Sequence, residues 1–318
     1  MRHAFALLLV TALPVQAMAQ AYPSKPIRVI VPFTAGSLPD LVPRLIGEKA
    51  GPALGQPLVV ENRVGAGGRI AADSVAKAAP DGYTLLLGTA STHVVSPFVI
   101  KGLPYDPFKD FTPIMNAVMP ITGFVVNASV PVNSVQEFID YAKKNPGKLA
   151  YGSNGVGSSH HLRGEYFKIA TGVDLLHIPY PGSNEVVTGI VNNTIQLSFS
   201  SPASIQQYVT AGKVKLLGMT MPKRIPGIDV PTVDELVPGF TSTTDWFGFF
   251  GPGNLPRPMV TRLNAEFNKA LADPGTKSKF EQQSVATIGG TPEEFAATMK
   301  ADYAVFGKVT KAINFKPE

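Results

Sequence analysis

Short runs of β-branched and aliphatic residues alternate with helix-periodic segments along almost the whole chain, and glycine-rich turns join many of the runs to the helices that follow. Residues 27–33 read as a buried strand and 39–54 as the next helix, with Pro39 in a first turn where its missing N–H costs nothing. A strand over 58–60 leads through the turn Gly65-Ala66-Gly67-Gly68 into a helix over 70–78. Asp81-Gly82 then turns the chain into a strand over 84–88. A β-α-β-α-β order with right-handed crossovers predicts a parallel sheet covered by helices on both faces. A second series starts near Phe124, with strands over 124–126, 149–152, 175–179, 195–199 and 215–219. The helices between them span 135–144, 161–170, 185–192 and 205–210. A proline-rich stretch over 222–238 leads to the aromatic run 246–250, and helices over 258–272, 276–283 and 292–312 finish the chain. The last opens with Thr291-Pro292-Glu293-Glu294, a capped start with acids at the positive end of the helix dipole. Two α/β units imply a cleft, and ligands of open α/β sheets bind beyond the carboxyl ends of strands.

The N-terminus reads as an export signal over residues 1–21. Arg2 and His3 precede an apolar run over 4–14, and Ala17, Ala19 and Ala21 supply the small residues of a cut site. That run is about half the roughly 20 residues needed to cross a bilayer, and no later segment is long and apolar enough. The chain has no cysteine, which removes disulfides, thiolate metal sites, cysteine nucleophiles and a lipidated-cysteine anchor together. Lys and Arg number 28 against 23 Asp and Glu, a net charge of +5. The basic residues are too dispersed for nucleic acid. A free periplasmic protein is expected, acting as a monomer without cofactor or metal.

Six loops follow strands and carry most of the chemistry. The first runs from Pro32 to Asp40 and contains Phe33, Ala35, Gly36 and Ser37; the second is Val64 to Gly68, with Gly67. The third, Gly88 to His93, holds Thr89 and Ser91. The fourth, Gly152 to His161, is the richest in donors and includes Ser153, Asn154, Gly157, Ser158, Ser159 and His160. Tyr180-Pro181-Gly182-Ser183 and Ser200-Ser201-Pro202 complete the set. Loops of this kind offer backbone N–H groups, hydroxyls and helix N-termini to an anion. Phe33, Trp246 and Phe247 could present apolar faces to a ring.

Enzyme motifs are weak by comparison. Gly65-Ala66-Gly67-Gly68-Arg69-Ile70 ends in Ile where a dinucleotide fingerprint needs Gly or Ala. No phosphate-binding loop, zinc-protease helix or nucleophile elbow occurs. Ser153 with His160 or His161 would be a nucleophile and base without a nearby carboxylate to orient the imidazole. An exported serine hydrolase using Ser153 therefore stands as an alternative, as does a ligand-binding sensor subunit for a membrane kinase.

An ordered set of motifs resembles the Bug family, the substrate-binding proteins of tripartite tricarboxylate transporters. It runs from Tyr22-Pro23-Ser24-Lys25-Pro26-Ile27 through the 32–36 loop, Val60-Glu61-Asn62-Arg63, Pro80-Asp81-Gly82-Tyr83 and Leu103-Pro104-Tyr105-Asp106. It continues through Tyr151-Gly152-Ser153, His177-Ile178-Pro179-Tyr180 and Trp246-Phe247-Gly248. The resemblance implies a type II periplasmic-binding-protein fold, in which two α/β lobes joined by a two-strand hinge close on a central cleft. Lobe 1 would comprise 22–123 with 246–318, and lobe 2 residues 124–245. Two loops act in the family as arms on a small carboxylate, a dicarboxylate or an aromatic acid, which membrane subunits of the transporter then receive. Carried over, the arms fall on Ala35, Gly36, Ser37 and Asp40, and on Ser153, Gly157, Ser158 and His160. The full set of expected ligand-binding residues adds Phe33, Gly67, Thr89, Ser91, Tyr180, Gly182 and Ser200. Many relatives carry an acid where this chain has Ser200, which makes a ligand amine less expected here. Arg63, Arg69 and the pair Asp73 and Lys77 read as structural.

Overall fold

The computed structural model describes residues 22–221, 224, 229–243 and 245–317. The expected export signal lies outside them, as does part of the proline-rich stretch. The first half-unit is β1 (Ile27–Val31), α1 (Leu38–Leu54), β2 (Leu58–Asn62), α2 (Arg69–Ala76) and β3 (Thr84–Thr89). A wide helical turn over Ser91–Val95 and α3 (Ser96–Val99) follow, then β4 (Phe111–Pro120). The second unit runs β5 (Gly123–Asn127), α4 (Val135–Lys144), β6 (Leu149–Ser153), α5 (Ser159–Thr171), β7 (Leu175–Pro179), α6 (Ser183–Val191), β8 (Leu197–Ser200), α7 (Pro202–Thr210) and β9 (Val214–Met219). After α8 (Val233–Leu236), the chain returns as β10 (Phe247–Pro252), α9 (Arg257–Ala272), α10 (Pro274–Glu281), β11 (Val285–Gly289) and α11 (Pro292–Ala312).

Two sheets result, in the strand orders β11-β4-β10-β3-β1-β2 and β7-β6-β8-β5-β9. The parallel order expected for the first half-unit holds for β1, β2 and β3, and both sheets are otherwise mixed. β1 pairs in parallel with β2 and β3, and β6 with β7 and β8. β10 runs antiparallel between β3 and β4, β11 is antiparallel to β4, and β5 is antiparallel to both β8 and β9. The cause is connectivity: β4 passes directly into β5 across Ile121 and Thr122, and β10 comes back from the second sheet into the first. Pro113 of β4 lies opposite Phe250 beside a register shift, where its missing donor is tolerated.

Strand alternation sorts the core into layers. Val29, Val31, Leu85, Leu87 and Phe249 pack on one face of the first sheet, while Ile30, Leu86 and Phe250 pack on the other. In the second sheet, Phe124 and Val126 face α4 and α5, and Val125 faces the side of α6 and α7. Burying one such side chain contributes about 1.5–3 kcal/mol. Helix ends follow local chemistry. Ser134 accepts the Glu137 N–H at the start of α4, and Thr291 and Glu294 form the reciprocal capping box expected at the start of α11.

Candidate functional site

A cavity of about 300 Å³ opens between the two sheets, at the carboxyl ends of β1, β3, β6 and β8. From the first sheet come Phe33 and Leu38 after β1, and Thr89, Ala90 and Ser91 at the end of β3. The passage from β4 to β5 adds Pro120, Ile121 and Thr122, and the return toward β10 adds Asp245, Trp246 and Phe247. The second sheet adds Asn154, Ser159 and His160 ahead of and within α5, then Ser183, Val186 and Val187 of α6. Phe199, Ser200, Ser201 and Ser204 complete the wall at β8 and α7. The rings of Phe33 and Phe247 meet edge to face, with centroids 6.4 Å apart.

Three helices begin at this cavity. Ser159 is the first residue of α5 and Ser183 of α6, while Ser201 precedes α7. Gly182 has no side chain to cap the start of α6, so the first N–H groups of that helix keep hydrogen-bonding capacity toward the cavity, whereas α7 opens with Pro202 and its Ala203 N–H donates to Ser284 Oγ at 3.1 Å. Each helix start also carries partial positive charge. Among the described residues no Lys or Arg lines the cavity, so a bound anion would be held by backbone and hydroxyl donors.

Of the residues expected from sequence, Phe33, Thr89, Ser91, His160 and Ser200 line the cavity. Ala35, Gly36, Ser37, Asp40, Gly67, Ser153, Gly157, Ser158, Tyr180 and Gly182 do not, and the reasons are local. Asp40 is buried, and its carboxylate is already taken. It accepts the Gly36 N–H at 2.8 Å, two Arg44 donors at 2.9 Å and Asn62 Nδ2 at 2.8 Å. The Arg44 hydrogen bonds, helped by Gly36 and Asn62, outweigh burial and hold the Asp40 carboxyl at about 2. Asn62 Nδ2 also donates to the Phe33 carbonyl at 2.9 Å, so this knot ties the backbone that carries Phe33. Gly36 sits at φ +79°, in the left-handed region that favours glycine. Ser37 precedes α1 and spends its hydroxyl on the Thr34 carbonyl at 2.6 Å, while Ala35 is exposed at the loop tip. Gly67 lies in the turn before α2, also at positive φ.

On the second arm, Ser153 is fully buried. Its Oγ lies 2.7 Å from His177 Nε2 and donates to the Gly155 carbonyl at 3.0 Å. The base beside it is therefore His177 rather than His160 or His161. His177 stacks between Tyr151 and His161 at 4.9 and 4.0 Å, and burial lowers its pKa to about 4. This pair lies outside the cavity, which removes the geometric basis for Ser153 as a nucleophile acting there. Ser158 caps α5 by accepting the His161 N–H, and the Gly157 N–H donates to His161 Nδ1 at 3.0 Å. Gly182 precedes α6, and the Tyr180 ring packs beside Gly152 and Gly189, where added side chains would meet it. Arg63 donates to Glu61 at 2.6 Å, and Lys77 pairs with Asp73 at 2.7 Å.

The cavity also contains residues that sequence reasoning did not single out, foremost Asp245. Its carboxylate lies 2.9 Å from Arg163 Nη2 and 3.5 Å from His160 Nε2. Arg163 is only 1% exposed and also donates to the Thr243 carbonyl at 2.7 Å. Burial pushes the Asp245 carboxyl up, but the Arg163 charge and the His160 and Ser159 hydrogen bonds outweigh it, so the group stays well below the usual carboxylate range. An acid next to Trp246-Phe247 was the only sequence signal, and its partner lies 82 residues away. Asn154, Ser159, Ser183 and Ser201 all sit in loops that the sequence marked, at positions beside those expected.

A cavity at the strand ends of two α/β sheets, bordered by the rings of Phe33 and Phe247 and met by helix N-termini, defines a two-lobe solute-binding protein. Comparison with known proteins agrees, since residues 42–315 match the tripartite tricarboxylate transporter family receptor (TctC) model. The chain belongs to that receptor family, whose members include the Bug proteins. It is 38% identical over 285 residues to the UPF0065 protein in the tcbD-tcbE intergenic region of Pseudomonas sp. strain P51, covering 89% of this chain and 84% of the relative. A solved periplasmic transporter is 42% identical, with a TM-score of 0.76 over 93% of this chain and 99% of that one. R. palustris Rpa4515 with adipate is 33% identical, with a TM-score of 0.78 over 93% of this chain and all (100%) of that one. Among the described residues, no helix is long and apolar enough to cross a membrane.

Proposed function

We propose that this receptor works in the periplasm, captures a small organic carboxylate in the cavity and hands it to membrane subunits of a tripartite tricarboxylate transporter. The observation that carries the reading is the approach of the α5 and α6 starts, with the Ser201 and Ser204 hydroxyls beside α7, to a cavity that no cationic side chain among the described residues lines. Such a site favours a carboxylate through N–H and hydroxyl donors, each charge-assisted bond being worth roughly 1.5–3 kcal/mol. Adipate in Rpa4515 supports the same ligand class. In this reading, residues 22–123 with 246–318 form one lobe and 124–245 the other. Closure would turn about Ile121 and Thr122, whose neighbour strand is tied by Thr220 N–H to the Thr122 carbonyl at 2.8 Å.

The experiment is calorimetric titration with linear dicarboxylates and aromatic acids, paired with tryptophan emission. Trp246 is the sole tryptophan and lies fully buried directly behind the cavity wall, beside Phe247, so closure on a ligand there should change its emission. Dissociation constants near micromolar, about 8 kcal/mol, are expected with at least one acid. Silence in both readouts across the panel would refute the proposal.

A further inference from the structure

The cavity carries donors at its helix starts, yet among the described residues the one Asp, Glu, Lys or Arg on its wall is an acid, Asp245. Asp245 is 17% exposed at its side chain, and that surface faces the cavity. Arg163, which balances it, is 1% exposed and lies behind Asp245, outside the cavity lining. A ligand group arriving at this point therefore meets a carboxylate oxygen before it meets the guanidinium. Elsewhere the cavity offers the hydroxyls of Ser183, Ser201 and Ser204, with the uncapped start of α6. One carboxylate can be satisfied there. A second, placed against Asp245, would face a like charge in a partly desolvated site, whereas an O–H or N–H donor would find an ionised acceptor.

We infer that Asp245 is the specificity-determining residue of this cavity: it selects a monocarboxylate whose far end carries a hydroxyl or amino donor, and it rejects a second carboxylate at that end. The body between the two ends would lie along the half-buried rings of Phe33 and Phe247, with Phe199 and Trp246 buried behind them, which suits an alkyl chain or an aromatic ring. Arg163 is a positioning residue in this arrangement, since its bonds to Asp245 and to the Thr243 carbonyl fix the acid at the wall. His160 stands beside the same oxygen and limits where the donor can approach. The inference rests on the carboxylate reading above and narrows it.

The test is calorimetry on the full chain with two matched pairs, 6-hydroxyhexanoate against adipate and 4-hydroxybenzoate against terephthalate. Wild-type protein should bind the hydroxy acid about tenfold or more tightly than the diacid in at least one pair, the scale expected when a buried polar partner is matched or left unmatched. Asp245→Asn should shrink that ratio by about tenfold, because the amide can donate to the diacid. If the variant fails to fold with Arg163 uncompensated, the double variant Arg163→Gln/Asp245→Asn decides with the same readout. A wild-type preference for the diacids, or a ratio unchanged in a folded variant, overturns the role of Asp245 and leaves carboxylate binding intact. Absence of binding by all four acids overturns the carboxylate reading and this inference with it.

Discussion

Replacing Asp40 with Asn should destabilise the protein by about 2 kcal/mol at neutral pH without emptying the core. The carboxylate is 1% exposed and holds Gly36, Arg44 and Asn62 together. Its pKa falls from the usual 3.8 to about 2, a difference worth about 2 kcal/mol at roughly 1.4 kcal/mol per pH unit. Arg44 is 46% exposed at its side chain, so losing its partner returns it to water rather than stranding a buried charge. The sign follows from the depressed pKa: the stabilisation is complete above pH 3.8 and disappears as pH falls through about 2. Urea unfolding followed by Trp246 emission should therefore show a gap between wild type and Asp40→Asn at pH 7 that closes between pH 4 and 2. Asp73→Asn, which breaks the Lys77 pair at the surface, should shift stability by less than about 0.5 kcal/mol and serves as the control. An Asp40→Asn protein as stable as that control, or a gap that persists undiminished at pH 2, would refute the reasoning. Because Asn62 also holds the Phe33 carbonyl, ligand affinity should fall together with stability.

Further outcomes follow from buried groups. His93 is fully buried and stacks on Phe250 at 4.1 Å, and burial lowers its pKa to about 3. The unfolded chain takes up that proton first, so stability should drop as pH falls from 6.5 toward 3, and His93→Gln should flatten the slope in urea titrations over that range. A Cβ on Gly164 would sit 2.1 Å from the Tyr151 ring; Gly164→Ala should cost about 1–3 kcal/mol by chemical unfolding. Ser153→Ala should cost about 1–3 kcal/mol by leaving His177 without its partner. Neither that variant nor the wild type should hydrolyse esters above the buffer background.

Helices and strands with strong periodicity were legible in the sequence, and tertiary constraints were not. The spans read for α4, β7 and α11 coincide with those found, because Ser134, the Pro179 stop and the Thr291 box punctuate them locally. β4 went unread because Pro113 and Pro120 break a run that only long-range pairing with β10 and β11 makes a strand. β11 is short and rests on β4 alone, so its own residues 285–289 give little local signal. At the site, loop chemistry located the cavity wall but did not resolve which side chains face it. Asp40 and Ser153 have the right chemistry for a ligand, yet each spends it on internal partners that no local pattern announces. Asp245 acquires its character from Arg163, far away in sequence, and could not be read at all.

The position of β10 has a consequence for how the molecule is made. Phe249 lies opposite Leu87 on one side and Met115 on the other, so β3 and β4 share no edge until the chain beyond residue 247 exists. The second sheet needs only residues 123–219. A ribosome delivering this chain from its N-terminus therefore supplies every strand of the second sheet before the first can close. The early half must wait, with the edges of β3 and β4 unpaired, for a late strand to bridge them.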